Sequence, residues 1–519
     1  MIEVKRNAAG HDVGVGFGEF DGNDENPGVN AASHEPFGKI FGDFPYAAYA
    51  VVMGNEKHFH ECVTLAINGL HDTLIPANTT TVNIMKKYVM AFLCSVSLAV
   101  SSVYAAPDSA SGVTAVSSNS FLNSLGVNTH VAQGYKPESY LEPLQYLGVR
   151  NIRDGGTPDR LPGLLMLHGK AGVQVDVVGV KVHNIISTAK NLAEAGALMA
   201  IEGPNEPNNF PVTYQGQKGG GKDSWVPVAL IQKELYSAVK NDPELRQYPV
   251  FHVSEGGGEF DNVGMQFLTI PQGSGTLMPD GTQFADYANT HNYVSGNHAG
   301  YVDNQAWKAA DPTLKDHWDG LYVEYGVTWR KHFSGYSNAQ LETLPRVTTE
   351  TGWDTEANPG GERVQGIVLV NTLLAQFKRG WKYTFIYEVG DGEGSKGHQG
   401  LYHPDGTPKL AATYIHNLTS ILADNHAVPN PAKLAYSIAN EPDTVHDLLL
   451  QKSNGAFELV VWGEQVSGSN NVAIHLGSAH AKVKIYDITT GTQPVQTLVN
   501  VSSIPLTVSD HAMIVEILP

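Results

Sequence analysis

Two short segments hold acidic side chains in company that suits chemistry: Ile201-Glu202-Gly203-Pro204-Asn205-Glu206-Pro207-Asn208 and Val347-Thr348-Thr349-Glu350-Thr351-Gly352-Trp353. Each reads as a strand running into a polar turn. A lone glutamate is ordinarily a solvated surface residue, but two that reach one opening can divide acid and nucleophile work on a single bond. One carboxyl must carry the proton that releases a leaving oxygen. The other, ionised, stabilises a developing positive charge or bonds to an electron-poor carbon.

The elements that must position these residues recur along the chain. Val127 to Val131, Arg150 to Arg153, Val173 to Val180, Met199 to Glu202, Val250 to Val253, Ala288 to Tyr293, Val347 to Thr349 and Tyr383 to Tyr387 are eight short apolar or β-branched runs. Helical patterns fall between them, at Pro137 to Leu147, Asn184 to Ala197, Val228 to Lys240 and Val364 to Phe377. Eight strands with intervening helices have the size and rhythm of a (β/α)8 TIM barrel, in which functional residues stand at the C-terminal ends of strands. The main rival, a doubly wound open sheet, calls for a glycine-rich phosphate turn after its first strand, and none is found there. In the barrel reading Glu206 follows the fourth strand and Glu350 the seventh.

Beyond about Asn425 the pattern changes. Lys433 to Ile438, His446 to Gln451, Phe457 to Trp462, Val472 to His475, Val483 to Asp487, Val495 to Val501 and Ala512 to Ile517 are short alternating strands between Gly, Asn, Ser and Pro turns. They predict a small antiparallel β-sandwich over residues 426–519 after a barrel over 106–425.

The first of these elements lies well inside the chain. Met85-Lys86-Lys87, an apolar run from Tyr88 to Val100, and the small residues before Pro107 have the form of a secretory signal peptide over residues 85–105, cut after Ala105. The apolar run is too short to span a bilayer, so no membrane insertion is expected once the leader is removed. Residues 1–84 then read as an upstream extension outside the exported protein. Export predicts a secreted or periplasmic location. Cys62 and Cys94, the two cysteines of the chain, lie before the cut and make no disulfide scaffold.

Composition narrows the partners. The chain has 519 residues, 42% of them hydrophobic and 16% charged, which is unlike a disordered chain. A formal net charge of −19 argues against a nucleic-acid binder held by phosphate contacts. No His-Glu-x-x-His pattern is present, and Asp303, Asp311, Asp391 and Glu393 lack calcium-loop spacing, so neither a metal nor a cofactor is expected.

The Asn205-Glu206-Pro207 turn after strand four, with Glu350 after strand seven, resembles the paired glutamates of the clan-A retaining glycoside hydrolases, which include families 5, 30 and 39. The resemblance covers the barrel, and the trailing sandwich is similar to accessory domains of families 30 and 39. It implies a retaining glycosidase acting by double displacement on an oligo- or polysaccharide. Glu206 would be the acid/base, Glu350 the nucleophile, and Asn205 a partner for the sugar 2-hydroxyl. Repulsion from ionised Glu350 would hold the proton on Glu206 until the first step. A non-catalytic carbohydrate-binding TIM barrel is the alternative.

Further candidates for substrate binding follow. Arg153 could steer the nucleophile, or else pair with Asp154 or Asp159. His291 and Tyr293 share one strand face, and the resemblance implies that the tyrosine donates to Glu350; core packing is the other reading. Trp353 is a candidate sugar-stacking platform or a rim-packing residue. Glu388 stands where many relatives carry a tryptophan and could reach a sugar hydroxyl. Lys218 and Lys222, in a glycine-rich insertion, read as solvated lysines.

Overall fold

A computed structural model describes the backbone of residues 2–6 and 12–17 and the structure of residues 112–254, 261–294, 300–315, 318–322, 333–439 and 441–519. The leader-like segment and both cysteines lie outside the described residues. The chain divides into two compact units, Met1–Pro107 and Asp108–Pro519. In the first, β1 (Ile2–Arg6) and β2 (Asp12–Phe17) pair antiparallel. The sequence reading assigned no element there, because each alternating stretch is only five or six residues long.

In the second unit, β3 (Val113–Thr114) and β4 (Val116–Ser117) precede the barrel. The barrel strands are β5 (Leu125–Asn128), β6 (Asn151–Gly155), β7 (Gln174–Val178) and β8 (Leu198–Glu202), then, after a β9–β10 hairpin (Val212–Tyr214, Gln217–Gly219), β11 (Val250–Phe251), β12 (Ala288–Asn289), β13 (Arg346–Thr351) and β14 (Thr384–Ile386). All eight pair in parallel around the ring, and a parallel bridge between Phe251 and Tyr287 joins β11 to the start of β12. The fold is the expected (β/α)8 TIM barrel. Helices Leu141–Leu147, Leu161–Ala171, Val182–Glu194, Val226–Asn241, Gly361–Lys378 and Leu410–Ile421 stand among its outer elements.

Apolar packing and polar layering divide the barrel. A small cluster of Met199, Ala200, Phe251, Val347 and Phe385 is distinct from the main core between strands and helices. Phe385 lies where a Cβ on Gly126 would meet its ring at 2.4 Å, so only glycine fits beside it. One or two residues further along the strands, toward their C-terminal ends, come buried polar side chains: Asn128, Arg153, Glu202, Asn289 and Thr349. This layer is the floor of the site.

Seven strands follow: β15 (Lys433–Leu434), β16 (Tyr436–Ala439), β17 (Val445–Gln451), β18 (Phe457–Gly463), β19 (Asn470–Asp487), β20 (Gln496–Val508) and β21 (Ala512–Ile517). They form the β-sandwich around Leu459, Val461, Ile474, Val483, Ile504 and Val515. Two details differ from expectation. The strands predicted at Val472 to His475 and Val483 to Asp487 are one element, β19, whose register against β20 shifts between His475 and His480. Gly477 and Ser478, whose types suggest a turn, lie in that irregularity, and the Gly477 N–H is held by the Ala435 carbonyl at 2.8 Å. In addition, β3 pairs with β15 and β4 with β17, so the stretch before the barrel completes the C-terminal sheets. Helix Gly361–Lys378, buried over nearly its whole surface, ties the two parts together through Asn371, which donates to the carbonyls of Gly463 and Asp510.

Candidate active site

The polar layer opens into a cleft of about 540 Å³ at the C-terminal ends of the strands. Glu206 and Glu350 both line it, four residues past the end of β8 and near the end of β13. Nearest oxygens of the two carboxyls, together with His291 Nδ1, lie within 4.8 Å of one another.

Local backbone explains how Glu206 gets there. The chain leaves β8 through Gly203-Pro204, and Glu206 adopts φ +38°, a left-handed conformation that glutamate rarely takes. Its carbonyl then accepts the N–H groups of Asn209 and Phe210 at 2.9 and 2.7 Å, closing a turn, while its own N–H donates to Ser254 Oγ. Strain of this kind concentrates at functional sites, because the surroundings must over-determine it.

The two carboxylates have different surroundings. Glu350 accepts from Arg153 Nη1 at 2.7 Å and from the Tyr293 hydroxyl at 2.8 Å. Glu206 lies 2.7 Å from His291 Nδ1 and accepts from Asn209 Nδ2 at 2.9 Å. Burial pushes the Glu206 carboxyl up, but the hydrogen bond and charge of His291, with Asn209 and Arg153, outweigh it and hold the group below the usual range. The expectation that repulsion from Glu350 keeps Glu206 protonated is not met: these groups favour its ionised form.

Arg153 is the hub. Its Nε and Nη2 donate to the two oxygens of Glu202 at 2.7 and 2.9 Å, Nη1 to Glu350 and to Asn128, and Nη2 also to Asn205 at 2.7 Å. It pairs with neither Asp154 nor Asp159: Asp154 accepts from Thr129 and the backbone of Val131, Ala132 and Gly155. Below it, burial and the charge of Glu202 push Asp176 well above the usual carboxylate range. With one guanidinium serving Glu202 and Glu350 beside an ionised Glu206, the site favours positive charge developing in a ligand.

The remaining candidates separate. Arg153, Asn205, Glu206, Tyr293 and Glu350 line the cleft, and His291 is fully buried beneath it. Trp353 is corrected: Gly352, where a Cβ would meet the Tyr387 carbonyl at 2.7 Å, turns the chain away, and the indole is wholly buried edge-on to Tyr301. No face of it is open to a sugar. Glu388 is corrected likewise, since it does not line the cleft. It is buried behind the wall, accepts from the Gly394 N–H at 2.6 Å, stands 3.5 Å from His130 Nδ1, and is pushed up to about 7 chiefly by burial. The aromatic wall residue from this strand end is Tyr387, one position earlier. Lys218 pairs with Asp223 away from the cleft.

Sequence reasoning missed Glu202, Asp176, Asn209 and Tyr387. Glu202 stands in the same quoted segment as Glu206, but its burial depends on Arg153 of the strand two positions away around the barrel. Two triads, Glu206–His291–Glu350 and His130–Glu388–Glu393, have ligand atoms close enough to hold a cation. In each the imidazole already lies at hydrogen-bonding or ion-pairing distance from the carboxylates. Among the described residues no helix is long and apolar enough to cross a membrane.

No protein-family model and no curated protein matches the sequence. Among solved structures, the chain is similar to a family 39 glycoside hydrolase from the gut symbiont Bacteroides cellulosilyticus WH2, at 13% identity and a TM-score of 0.50, over 78% of this chain and 82% of that one. It is similar also to CelM2, a bifunctional glucanase-xylanase protein from a metagenome library, at 13% identity and a TM-score of 0.50, over 78% and 96% of the two chains. At this identity the likeness establishes the fold.

Proposed function

We propose that this protein is a retaining glycoside hydrolase that cleaves an O-glycosidic bond of a carbohydrate by double displacement. The observation that carries the reading is the approach of Glu206 and Glu350 to within 4.8 Å, nearest oxygen to nearest oxygen, at the mouth of one cleft. Retention calls for carboxyls about 5–5.5 Å apart, so that one can bond to the sugar, whereas inversion needs about 6.5–9.5 Å to admit a water.

In this reading Glu350, held by Arg153 and Tyr293, attacks the anomeric carbon while Glu206 protonates the departing oxygen. When the sugar fills the cleft and excludes water from Glu206, the neutral, protonated form of its carboxyl is favoured. Bonding of Glu350 to the sugar removes its negative charge, and Glu206, again ionised, takes a proton from the incoming water. Asn205, fixed through Arg153, would meet the 2-hydroxyl. The leader-like segment from Met85 supports action outside the cytoplasm, which N-terminal sequencing of exported protein would test.

Hydrolysis of aryl glycosides tests the chemistry. Glu206→Gln is expected to lower kcat/KM by roughly 10²–10⁴, the usual worth of a general acid. Glu350→Gly should be inactive until azide is added, and should then release the glycosyl azide of the opposite anomer. Sugar binding by an unaltered protein that hydrolyses no glycoside would favour the carbohydrate-binding barrel instead.

A further inference from the structure

The cleft has one wall residue whose exposure the fold does not require. Phe210 is 62% exposed and lines the cleft. The other aromatic rings of the wall, Tyr293 and Tyr387, are buried at 4% and 9%. Of the large apolar side chains that are exposed among the described residues, Phe210 is the one that lines this cleft. Isolated exposed apolar residues are common on protein surfaces, so exposure alone decides nothing. Its position does.

Phe210 closes the turn that begins at Glu206: its N–H donates to the Glu206 carbonyl at 2.7 Å, and its neighbour Asn209 binds the Glu206 carboxylate. The turn is anchored from behind. Gly221 N–H donates to the Pro207 carbonyl at 2.9 Å, and Gly220 approaches so closely that a Cβ would meet that oxygen at 2.2 Å. The ring is thus carried on a turn braced against the β9–β10 insertion.

A general acid must come within about 2.6–3.2 Å of the oxygen it protonates. That oxygen belongs to the leaving group, so the leaving group lies against whatever surface adjoins Glu206. An exposed phenyl face offers apolar contact to the C–H-rich face of a sugar ring and no partner for an anionic substituent on it. We propose that Phe210 is the stacking platform for the leaving-group sugar, and that the cleft thereby prefers substrates whose departing group is itself a neutral sugar ring. This rests on the reading of Glu206 as acid/base.

The test compares two leaving groups in one protein. Wild type is assayed on neutral xylo-, cello-, manno- and laminari-oligosaccharides, and on the glycosyl fluoride of whichever sugar it releases, fluoride having no ring to stack. In Phe210→Ala the ratio of kcat/KM for the oligosaccharide to that for the fluoride is expected to fall about tenfold, which is about 1.4 kcal/mol. Phe210→Trp should restore it. Should the alanine variant melt well below wild type, Phe210→Leu, which keeps apolar bulk without a flat face, must show the same fall. A ratio that stays at the wild-type value in a folded, active variant overturns the platform and leaves the glycosidase reading intact. Absence of turnover of every fluoride and oligosaccharide by wild type overturns both.

Discussion

His291 Nδ1 stands 2.7 Å from Glu206 Oε1 and 3.5 Å from Glu350 Oε2, so one buried imidazole touches both carboxylates. Its other nitrogen, Nε2, meets Thr349 Oγ1 at 3.0 Å, which fixes the ring.

The consequence for pH dependence has a definite sign. Without His291, burial acts on Glu206 with less opposition, and its pKa rises. In His291→Ala the basic limb of the kcat/KM profile on an aryl glycoside should therefore move to higher pH. The maximum should fall by about 10- to 100-fold through lost orientation of the acid. A profile of unchanged shape, merely scaled down, would contradict the hold of His291 on the Glu206 pKa.

Arg153 offers a test of geometry against charge. Lysine keeps the charge but cannot span Glu202, Glu350 and Asn205 at once, as the planar guanidinium does. Arg153→Lys is expected to lower kcat by roughly 10²-fold if Glu350 is misplaced by about an ångström. Leaving Glu202 incompletely paired in a buried site should also cost up to about 3 kcal/mol of stability. Denaturant unfolding and steady-state kinetics on the same variant separate the two effects. Wild-type values in both would remove Arg153 from the machinery.

The barrel and its two glutamates were legible for different reasons. Eight apolar runs with helical spacers leave few architectures, and Glu206 and Glu350 each follow one of those runs into a polar turn. Arg153, His291 and Tyr293 were legible as strand-end residues. The burial of Trp353 was not, because it depends on how Gly352 redirects the chain past the Tyr387 carbonyl. Nor was the retreat of Glu388 behind Tyr387, a one-residue difference that reverses which side chain faces the cleft. Glu202 and Asp176 escaped notice since a charged residue inside a strand reads as solvent-facing until its partner on a neighbouring strand is known. The pairing of β3 and β4 with strands more than 300 residues away left no local trace.

Asp176 is expected to be a stability liability at neutral pH. Its folded pKa is raised by burial and by Glu202, so the native state binds a proton that the unfolded chain releases. Stability from this group accordingly declines as pH rises above the unfolded value near 4. Asp176→Asn, neutral at every pH and nearly the same shape, removes that term. Melting temperature followed from pH 4 to pH 8 should decline less in the variant than in wild type. A steeper decline in the variant would mean that Asp176 is ionised in the fold.

His511, at the junction of barrel and sandwich, gives a dependence of the same sign in a higher pH window. Its Nδ1 lies 2.9 Å from Asp510 Oδ1 and its Nε2 3.4 Å from Asp487 Oδ1, while Arg363, on helix Gly361–Lys378, grips Asp510 with two bonds at 2.8 and 3.0 Å. Burial lowers the imidazole pKa, but the two aspartates outweigh it and raise it to about 9. A raised folded pKa means stability that is fully present below the unfolded value of about 6.5 and is lost as pH climbs through 9. The whole shift corresponds to at most about 3 kcal/mol. His511→Gln should thus destabilise the protein clearly at pH 6 and hardly at pH 10, as measured by denaturant unfolding at both. Equal destabilisation at the two pH values would show that His511 acts through packing, and that the charge it shares with Asp487 and Asp510 contributes nothing to holding the sandwich in place.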